Sequence, residues 1–292
     1  MGWSSGFEKI VRKAVPLAPF TWLKIGGPAE FFAEPATHDE LSTLVKRCWQ
    51  EQVPVHILGG GSNLLVREEG VAGLVLRLTA PLFAEIKATG NVVKAGAGAR
   101  LGHVISTSVR EGLGGLETLV GIPGSVGGAL HGNAGGRGGD VGQWTARATV
   151  MTRAGELIHR SRHDLVFAYR QSSLDELVIL DAEFQLEPDD PNELTKRMQK
   201  QWIVKKAAQP LSHQATACLF KNPRGMSAGM LIDQAGLKGH RVGAAEISER
   251  HGNFVLAHEG ATSQDVLGLI EVVQGRVAER LGVDLETEIE VW

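Results

Sequence analysis

Between Thr37 and Glu51 the apolar positions Leu41, Leu44, Val45, Cys48 and Trp49 recur at helical spacing and share one face. Thr37 and Glu40 have capping-box spacing, so a helix is predicted to begin there. Cys48 lies on the stripe and reads as core. Val53 to Leu58, Leu74 to Leu78 and Asn91 to Ala95 read as strands, and a helix from about Leu101 to Arg110 stops at Gly112. Thr149 to Leu157 reads as a hairpin around Ala154-Gly155, and Leu177 to Leu186 as a long strand. Pro188 to Pro191 break the chain and mark a candidate domain boundary. Beyond it, Leu194, Met198 and Trp202 at i, i+4 and i+8 predict a helix to about Lys206. A short helix over Ala228 to Ala235 ends at Gly236. The strongest helical pattern runs from Ser263 to Leu281, with Val266, Leu269, Ile270, Val273 and Val277 on one face and Gly282 after it. At the end the pattern alternates: Leu285, Thr287, Ile289 and Val291 face one way, and Glu286, Glu288 and Glu290 the other, which predicts a strand.

Composition narrows the function classes. The 292 residues carry 30 Lys+Arg against 33 Asp+Glu, so no net positive field recruits nucleic acid or an anionic membrane. One tyrosine leaves few stacking surfaces for single strands. Two cysteines, Cys48 and Cys218, make neither a disulfide framework nor a four-thiolate zinc site, which fits a reducing compartment. No run approaches a membrane-spanning length, and Met1 to Gly6 lack an apolar leader, so the expected location is cytoplasmic, with no membrane insertion. The histidines form no HExxH, and no metal site is expected. Length alone suggests about two domains.

Glycine is the outlier, with 12 in the 28 residues from Gly112 to Gly139. Leu116, Leu119, Val120, Ile122, Val126, Ala129 and Leu130 are interleaved, so this is not a flexible linker but main chain that turns sharply beside something. Gly59-Gly60-Gly61-Ser62-Asn63 follows a strand and forms a run of backbone N–H groups suited to phosphate oxygens; the alternative is a tight turn. It is not a Walker A loop. Gly121-Ile122-Pro123-Gly124-Ser125-Val126-Gly127-Gly128 is a second such element, with Pro123 fixing φ and Ser125 adding a hydroxyl. Two such loops suit the diphosphate of a dinucleotide, without saying which.

Together with Thr21-Trp22-Leu23-Lys24-Ile25-Gly26-Gly27, Asn133-Ala134-Gly135, Tyr169-Arg170-Gln171-Ser172 and Phe220-Lys221-Asn222-Pro223, these loops resemble the UDP-N-acetylenolpyruvoylglucosamine reductase family, in order and over more than 90% of the chain. The resemblance implies an α+β chain: a vanillyl-alcohol-oxidase-type FAD-binding fold of two subdomains, 1–80 and 81–190, and a C-terminal α+β substrate-binding domain, 191–292, whose last strand could return to the first subdomain. It implies non-covalent FAD, NADPH as hydride donor, and UDP-N-acetylglucosamine enolpyruvate as the substrate reduced to UDP-N-acetylmuramate for peptidoglycan. No obligate protein partner is expected. Another FAD-dependent oxidoreductase of the same fold is the alternative.

By the same resemblance Gly59, Gly60, Gly61, Ser62, Asn63 and Leu64, with Gly121, Ile122, Pro123, Gly124, Ser125, Gly128, Asn133 and Gly135, would hold the flavin cofactor. Tyr169, Ser172, Lys221, Asn222 and Lys238 would contact substrate. Arg170 takes the family's arginine position, and its fork suits a carboxylate; on pattern alone it is a surface arginine after a strand. Glu288 takes the family's C-terminal glutamate position; by alternation alone it lies on a polar face with Glu286 and Glu290. In a closed cleft, burial and like charges would raise its pKa. Cys218 stands where the family carries its proton donor; without the match it is a small buried hydrophobe. A thiol is mostly protonated at neutral pH yet far more acidic than a hydroxyl. The run Lys196, Arg197, Lys200, Lys205, Lys206 could favour a diphosphate or simply form a solvated face. The single tyrosine, Tyr169, implies the subclass without a tyrosine clamp loop.

Overall fold

The computed structural model describes residues 2–136, 138–210 and 215–292. The chain divides into two compact units. One comprises Met1–Ala14, Glu30–Gly60 and Ala72–Ile203; the other Val15–Ala29, Gly61–Val71 and Val204–Trp292.

In the first unit, α1 (His38–Gln50) buries Leu41, Leu44, Val45 and Cys48. Thr37 Oγ1 accepts from the Glu40 N–H, and the Glu40 carboxylate reaches back to the Ala36 N–H. The predicted fifth member of the stripe, Trp49, is 58% exposed at the edge of the face. Burial, with the Glu51 charge adding, pushes the Cys48 thiol up to about 12, so Cys48 is an inert core residue. The α1 face packs with Leu74, Leu76, Val178 and Leu180, and with Phe83 from the short α2 (Pro81–Ala84). A second core forms around α3 (Leu101–Arg110), which buries Leu101, Val104, Ile105 and Val109, and α4 (Val126–His131). These helices cover a five-stranded antiparallel sheet in the order Leu157–Ser161, Thr145–Met151, Val178–Gln185, Val92–Gly96, Ile86–Thr89. A four-stranded sheet runs Val11–Pro16, Pro28–Ala33, Val71–Leu76, Val55–Ile57, and the unit boundary falls within its first three strands. α5 (Pro191–Ala208) buries only Leu194, and Trp202, expected on the same stripe, is 40% exposed.

The second unit has its own core. α6 (Ala228–Gln234) and α7 (Ser263–Leu281) pack with a four-stranded sheet ordered Thr216–Cys218, Phe254–Ala257, Ala245–Ile247, Arg241–Val242. All five predicted stripe residues of α7 are buried. Gly282 ends the helix at φ 65°, a left-handed position that glycine adopts without a Cβ clash. The N-terminus is closed more firmly than the sequence analysis foresaw: Thr262 and Asp265 form a reciprocal capping box, and Glu68 accepts from the Ser263 N–H at 2.6 Å.

The final strand is shorter than its alternation predicts. Only Glu290–Val291 are paired, in parallel with Leu64–Leu65. Leu285 and Ile289 are buried while Thr287 is exposed, so the buried spacing is four rather than two. The physical reason is that the segment bridges two partners: Thr287 meets Phe220 through an isolated bridge, and the chain then passes to Leu64–Leu65.

Asp265 generates a stability prediction. Its carboxyl is held below the ordinary aspartate range by the Thr262 N–H, opposed by slight burial and aided by the Ala244 N–H and the Thr262 hydroxyl. A depressed folded pKa contributes stability above the unfolded value and loses it as pH falls through the folded one. Asp265→Asn is expected to cost about 1 kcal/mol near neutrality. Thermal melts against pH should show the gap to wild type closing below about pH 4.

Candidate active site

The glycine-rich loops of the first unit are built around close main-chain contact. Gly59 and Gly60 follow the strand Val55–Ile57, where the Leu58 N–H bonds the Leu76 carbonyl. A Cβ on Gly59 would lie 2.7 Å from Ser125 Oγ, and one on Gly60 would lie 2.7 Å from Gly124 Cα. The 121–128 loop is pinned from its other side: Leu101 N–H bonds the Gly124 carbonyl, Val126 N–H the Ala99 carbonyl, and Gly127 N–H the Ala97 carbonyl. Gly121 and Gly124 have φ of 80° and 109°, which the turns around Ile122 and the exposed Pro123 require. Ser125, buried, caps α4 by accepting from the Gly128 N–H at 3.3 Å.

Among the described residues, none accepts from the backbone N–H groups of Gly59, Gly60, Gly124 or Ser125. The same holds in the second unit for Gly61, Ser62 and Asn63. Buried or half-buried main-chain donors normally find partners. In the first unit Gly59 and Gly60 carry such donors on backbone too tight for a Cβ, the kind of array an anion fits.

Asn133, expected beside the cofactor, is buried at φ 42° with its amide engaged by main chain. Its Nδ2 donates to the Ala168 carbonyl at 2.8 Å and its Oδ1 accepts from the Gly142 N–H. Asn133 therefore braces the hairpin Phe167–Ala168/Gln171–Ser172. Tyr169 and Arg170 form that hairpin's turn, with Arg170 at φ 57°, an unusual conformation for a residue with a Cβ. Arg170 Nη1 donates to the Gly135 carbonyl at 3.0 Å, and its guanidinium lies 5.4 Å from the ring centre of Tyr169, which is itself exposed. Ser172 Oγ donates to the His131 carbonyl. In the basic run, Lys196 pairs with the exposed Glu193, and Arg197 with the buried Glu117 and with Asp189.

In the second unit Cys218 ends the strand Thr216–Cys218, opposite Phe254, and is half-buried. Glu288 is brought alongside it: the Glu288 N–H donates to the Leu219 carbonyl at 2.7 Å. Asn63 Nδ2 donates to the Glu288 carbonyl at 2.8 Å, and the Glu290 N–H to the Asn63 carbonyl at 3.0 Å. Gly61 sits at φ 63° with its missing Cβ 2.1 Å from the Phe20 carbonyl oxygen, and its own carbonyl accepts from Trp22. Leu64 is buried in the short parallel pairing with Glu290. Lys221 is ion-paired with Glu286, and Lys238 with Asp233 at 2.7 Å. Asn222 Oδ1 accepts from the Ala228 N–H at the start of α6. Glu286 is open to solvent, so Glu286, Glu288 and Glu290 do not form one closed acidic face. The described residues hold no cluster of metal-ligating side chains.

Residues 29–161 match the family model described as an FAD binding domain, and residues 209–292 the one described as UDP-N-acetylenolpyruvoylglucosamine reductase, C-terminal domain. UDP-N-acetylenolpyruvoylglucosamine reductase 2 of Symbiobacterium thermophilum is 43% identical over 284 residues, covering 97% of this chain and 92% of its own. The Rhodopirellula baltica reductase is 40% identical over 283 residues, with coverage of 97% and 93%. The crystal structure of the Thermus caldophilus enzyme superposes with a TM-score of 0.83 at 38% identity, covering 97% of this chain and 99% of that one. The chain belongs to the UDP-N-acetylenolpyruvoylglucosamine reductase family.

Its fold is accordingly the α+β FAD-binding fold expected from the resemblance. The reductase is an FAD-dependent oxidoreductase of peptidoglycan precursor synthesis, reducing the enolpyruvyl ether of UDP-N-acetylglucosamine. No helix among the described residues is long and apolar enough to cross a membrane. One buried residue beside Cys218 escaped the sequence analysis: Asn253, 35 positions away, lies against the sulfur. No local pattern marks it.

The close glycine contact in this reductase can be tested by adding one methyl group. Gly60→Ala places a Cβ against the Gly124 and Ser125 main chain. The purified variant is expected to lose most of its bound FAD, read as the ratio of flavin to protein absorbance. Gly102→Ala, where a Cβ meets nothing within 4 Å, should keep it.

Proposed function

We propose that the enzyme draws its hydride from NADPH and that Arg170, Glu288 and Cys218 carry the reduction of UDP-N-acetylglucosamine enolpyruvate. FAD, when bound, supplies the two-electron chemistry, taking a hydride from NADPH and delivering one to the enolpyruvyl methylene carbon. The observation that carries the reading is the pairing of the Leu219 carbonyl with the Glu288 N–H, which sets a carboxyl and a thiol on adjoining segments.

Each side chain has a separate task. Hydride arrival at the methylene carbon leaves enolate character on the neighbouring carbon and on the carboxylate. The Arg170 fork binds that carboxylate and stabilises its growing charge. A protonated Glu288 donates to the same group. Cys218 delivers the proton that completes the C–H bond. Tyr169 and Ser172 shape the Arg170 hairpin, and Lys221, Asn222 and Lys238 lie towards the sugar nucleotide. Gly59 to Leu64, Gly121 to Ser125, Gly128, Asn133 and Gly135 form the flavin cradle, Asn133 through its brace on the hairpin. We take residues 1–80 and 81–190 as the flavin-binding subdomains, 191–292 as the substrate domain, and the cytoplasm as the working compartment.

Anaerobic visible absorption separates the half-reactions. Stoichiometric NADPH should bleach the flavin bands, and UDP-N-acetylglucosamine enolpyruvate should restore them. Cys218→Ala should still bleach, but the return should slow by about 10²–10⁴-fold, the usual contribution of a general acid. Unchanged return would remove Cys218 from the mechanism. Arg170→Met should also slow the return, by about 10²–10³-fold. Carboxyl titration of the liganded enzyme checks Glu288: full ionisation at neutrality would sink its donor role.

A further inference from the structure

Asn253 opens the strand Phe254–Ala257 and is buried, 4% exposed. Its Oδ1 accepts from the Phe220 N–H at 3.0 Å. Its Nδ2 donates to the Phe220 carbonyl at 2.7 Å and to Cys218 Sγ at 3.2 Å. Its own carbonyl accepts from the Leu219 N–H at 3.0 Å. The orientation of the amide is therefore determined. A backbone N–H can only donate and a carbonyl only accept, so Oδ1 faces the Phe220 nitrogen and Nδ2 faces oxygen and sulfur. A flipped amide would fail at both Phe220 groups.

We propose that Asn253 is the positioning residue of the Cys218 proton donor, its amide N–H fixing the sulfur and stabilising the thiolate left when the proton departs. The inference rests on the reading of Cys218 as the acid. In that step the S–H bond breaks and a C–H bond forms at the carbon beside the substrate carboxylate. The carbanion's electron pair takes the proton, and the S–H pair stays on sulfur. A hydrogen bond to an ionised acceptor is about twice as strong as one to a neutral acceptor. The Asn253 N–H thus gains strength as charge develops on sulfur, the differential interaction that lowers a barrier.

Ionisable groups on the segments packed around Cys218 do not duplicate this role. Lys221, on the same segment, is engaged by Glu286. Burial and the Lys238 charge hold His251 below the ordinary imidazole range, and its Nδ1 accepts from the Asn253 N–H, so the ring is neutral near pH 7. Arg250 reaches the Lys206 carbonyl. The carboxyls Glu249, Glu286 and Glu288 lie on these segments, and every variant below retains all three.

The test reads the thiol directly. The pH dependence of Cys218 alkylation by iodoacetamide is followed in the FAD-loaded protein, with the modified peptide identified by mass. Cys48, buried and pushed up to about 12, stays silent and serves as reference. In Asn253→Ala the alkylation midpoint should rise by about one pH unit, a tenfold fall in thiolate at a given pH. Substrate-driven return of the flavin bands should slow by about tenfold or more. Asn253→Leu, close in size and uncharged, removes the donor to sulfur without adding a charge that would itself raise the thiol pKa. It should give the same direction of shift even where the alanine variant fails to fold. A fall in melting temperature with an unmoved midpoint in both variants overturns the proposal, leaving Asn253 a brace alone. A moved midpoint with wild-type return of the bands overturns it equally. Failure of the underlying reading is distinguishable: Cys218→Ala itself would then restore the bands at the wild-type rate.

Discussion

The bond from Asn63 Nδ2 to the Glu288 carbonyl joins positions 225 residues apart and is the constraint on which the placing of Glu288 beside the Cys218 segment depends. It ties the segment after the glycine run to the segment that carries the C-terminal carboxyl. The Glu290 N–H to Asn63 carbonyl bond and the parallel pairing at Leu64–Leu65 complete the clasp. With that carbonyl held, the Glu288 N–H meets the Leu219 carbonyl, and the carboxyl is placed beside the thiol segment. Residues that look like a phosphate loop in sequence thus also act as a carboxyl-positioning device.

A related economy governs the first unit. The turns at Gly121 and Gly124 and the bare α-carbons of Gly59 and Gly60 allow two loops to touch through main chain. Side chains there would block the contact, and their absence leaves peptide N–H groups beside the Ser125 hydroxyl on that surface. Such main-chain donors have no acceptor among the described residues, the arrangement the proposed flavin cradle calls for. Asn133 and Ser172 engage the Ala168, Gly142 and His131 main chain. They hold the hairpin whose left-handed Arg170 would otherwise relax, because a strained turn persists only when its surroundings over-determine it.

The helices were legible because their determinants are local. Thr37 with Glu40, and Val266 to Val277 before Gly282, lie within a few turns of the features they predict. Trp49 and Trp202 mark the limit: each lies at helical spacing from buried neighbours, but whether a face is covered depends on distant packing. The terminal alternation misled for the same reason. A period of two implies one continuous partner strand, whereas residues 285–291 pass from Phe220 to Leu64 and change partners on the way. The catalytic candidates were legible only through resemblance, since nothing local distinguishes Cys218 from core or Glu288 from a solvated face. Asn253 was not legible at all, because its significance lies in bonds to residues 33 and 35 positions away.

A thiol acid faces two opposing demands. It must hold its proton until the substrate carbon becomes basic, and its thiolate must then be tolerated. A free ammonium beside the sulfur would satisfy the second demand and defeat the first, because a nearby positive charge favours the thiolate before any substrate arrives. The neighbourhood avoids that outcome. Lys221 is bound by Glu286, and His251 is neutral against the Asn253 N–H. A fixed amide dipole interacts weakly with neutral sulfur and more strongly with charged sulfur. It therefore narrows the free-energy gap between the two states without giving the proton away in advance. Its orientation is set by the Phe220 main chain, so no reorganisation is needed when the charge appears.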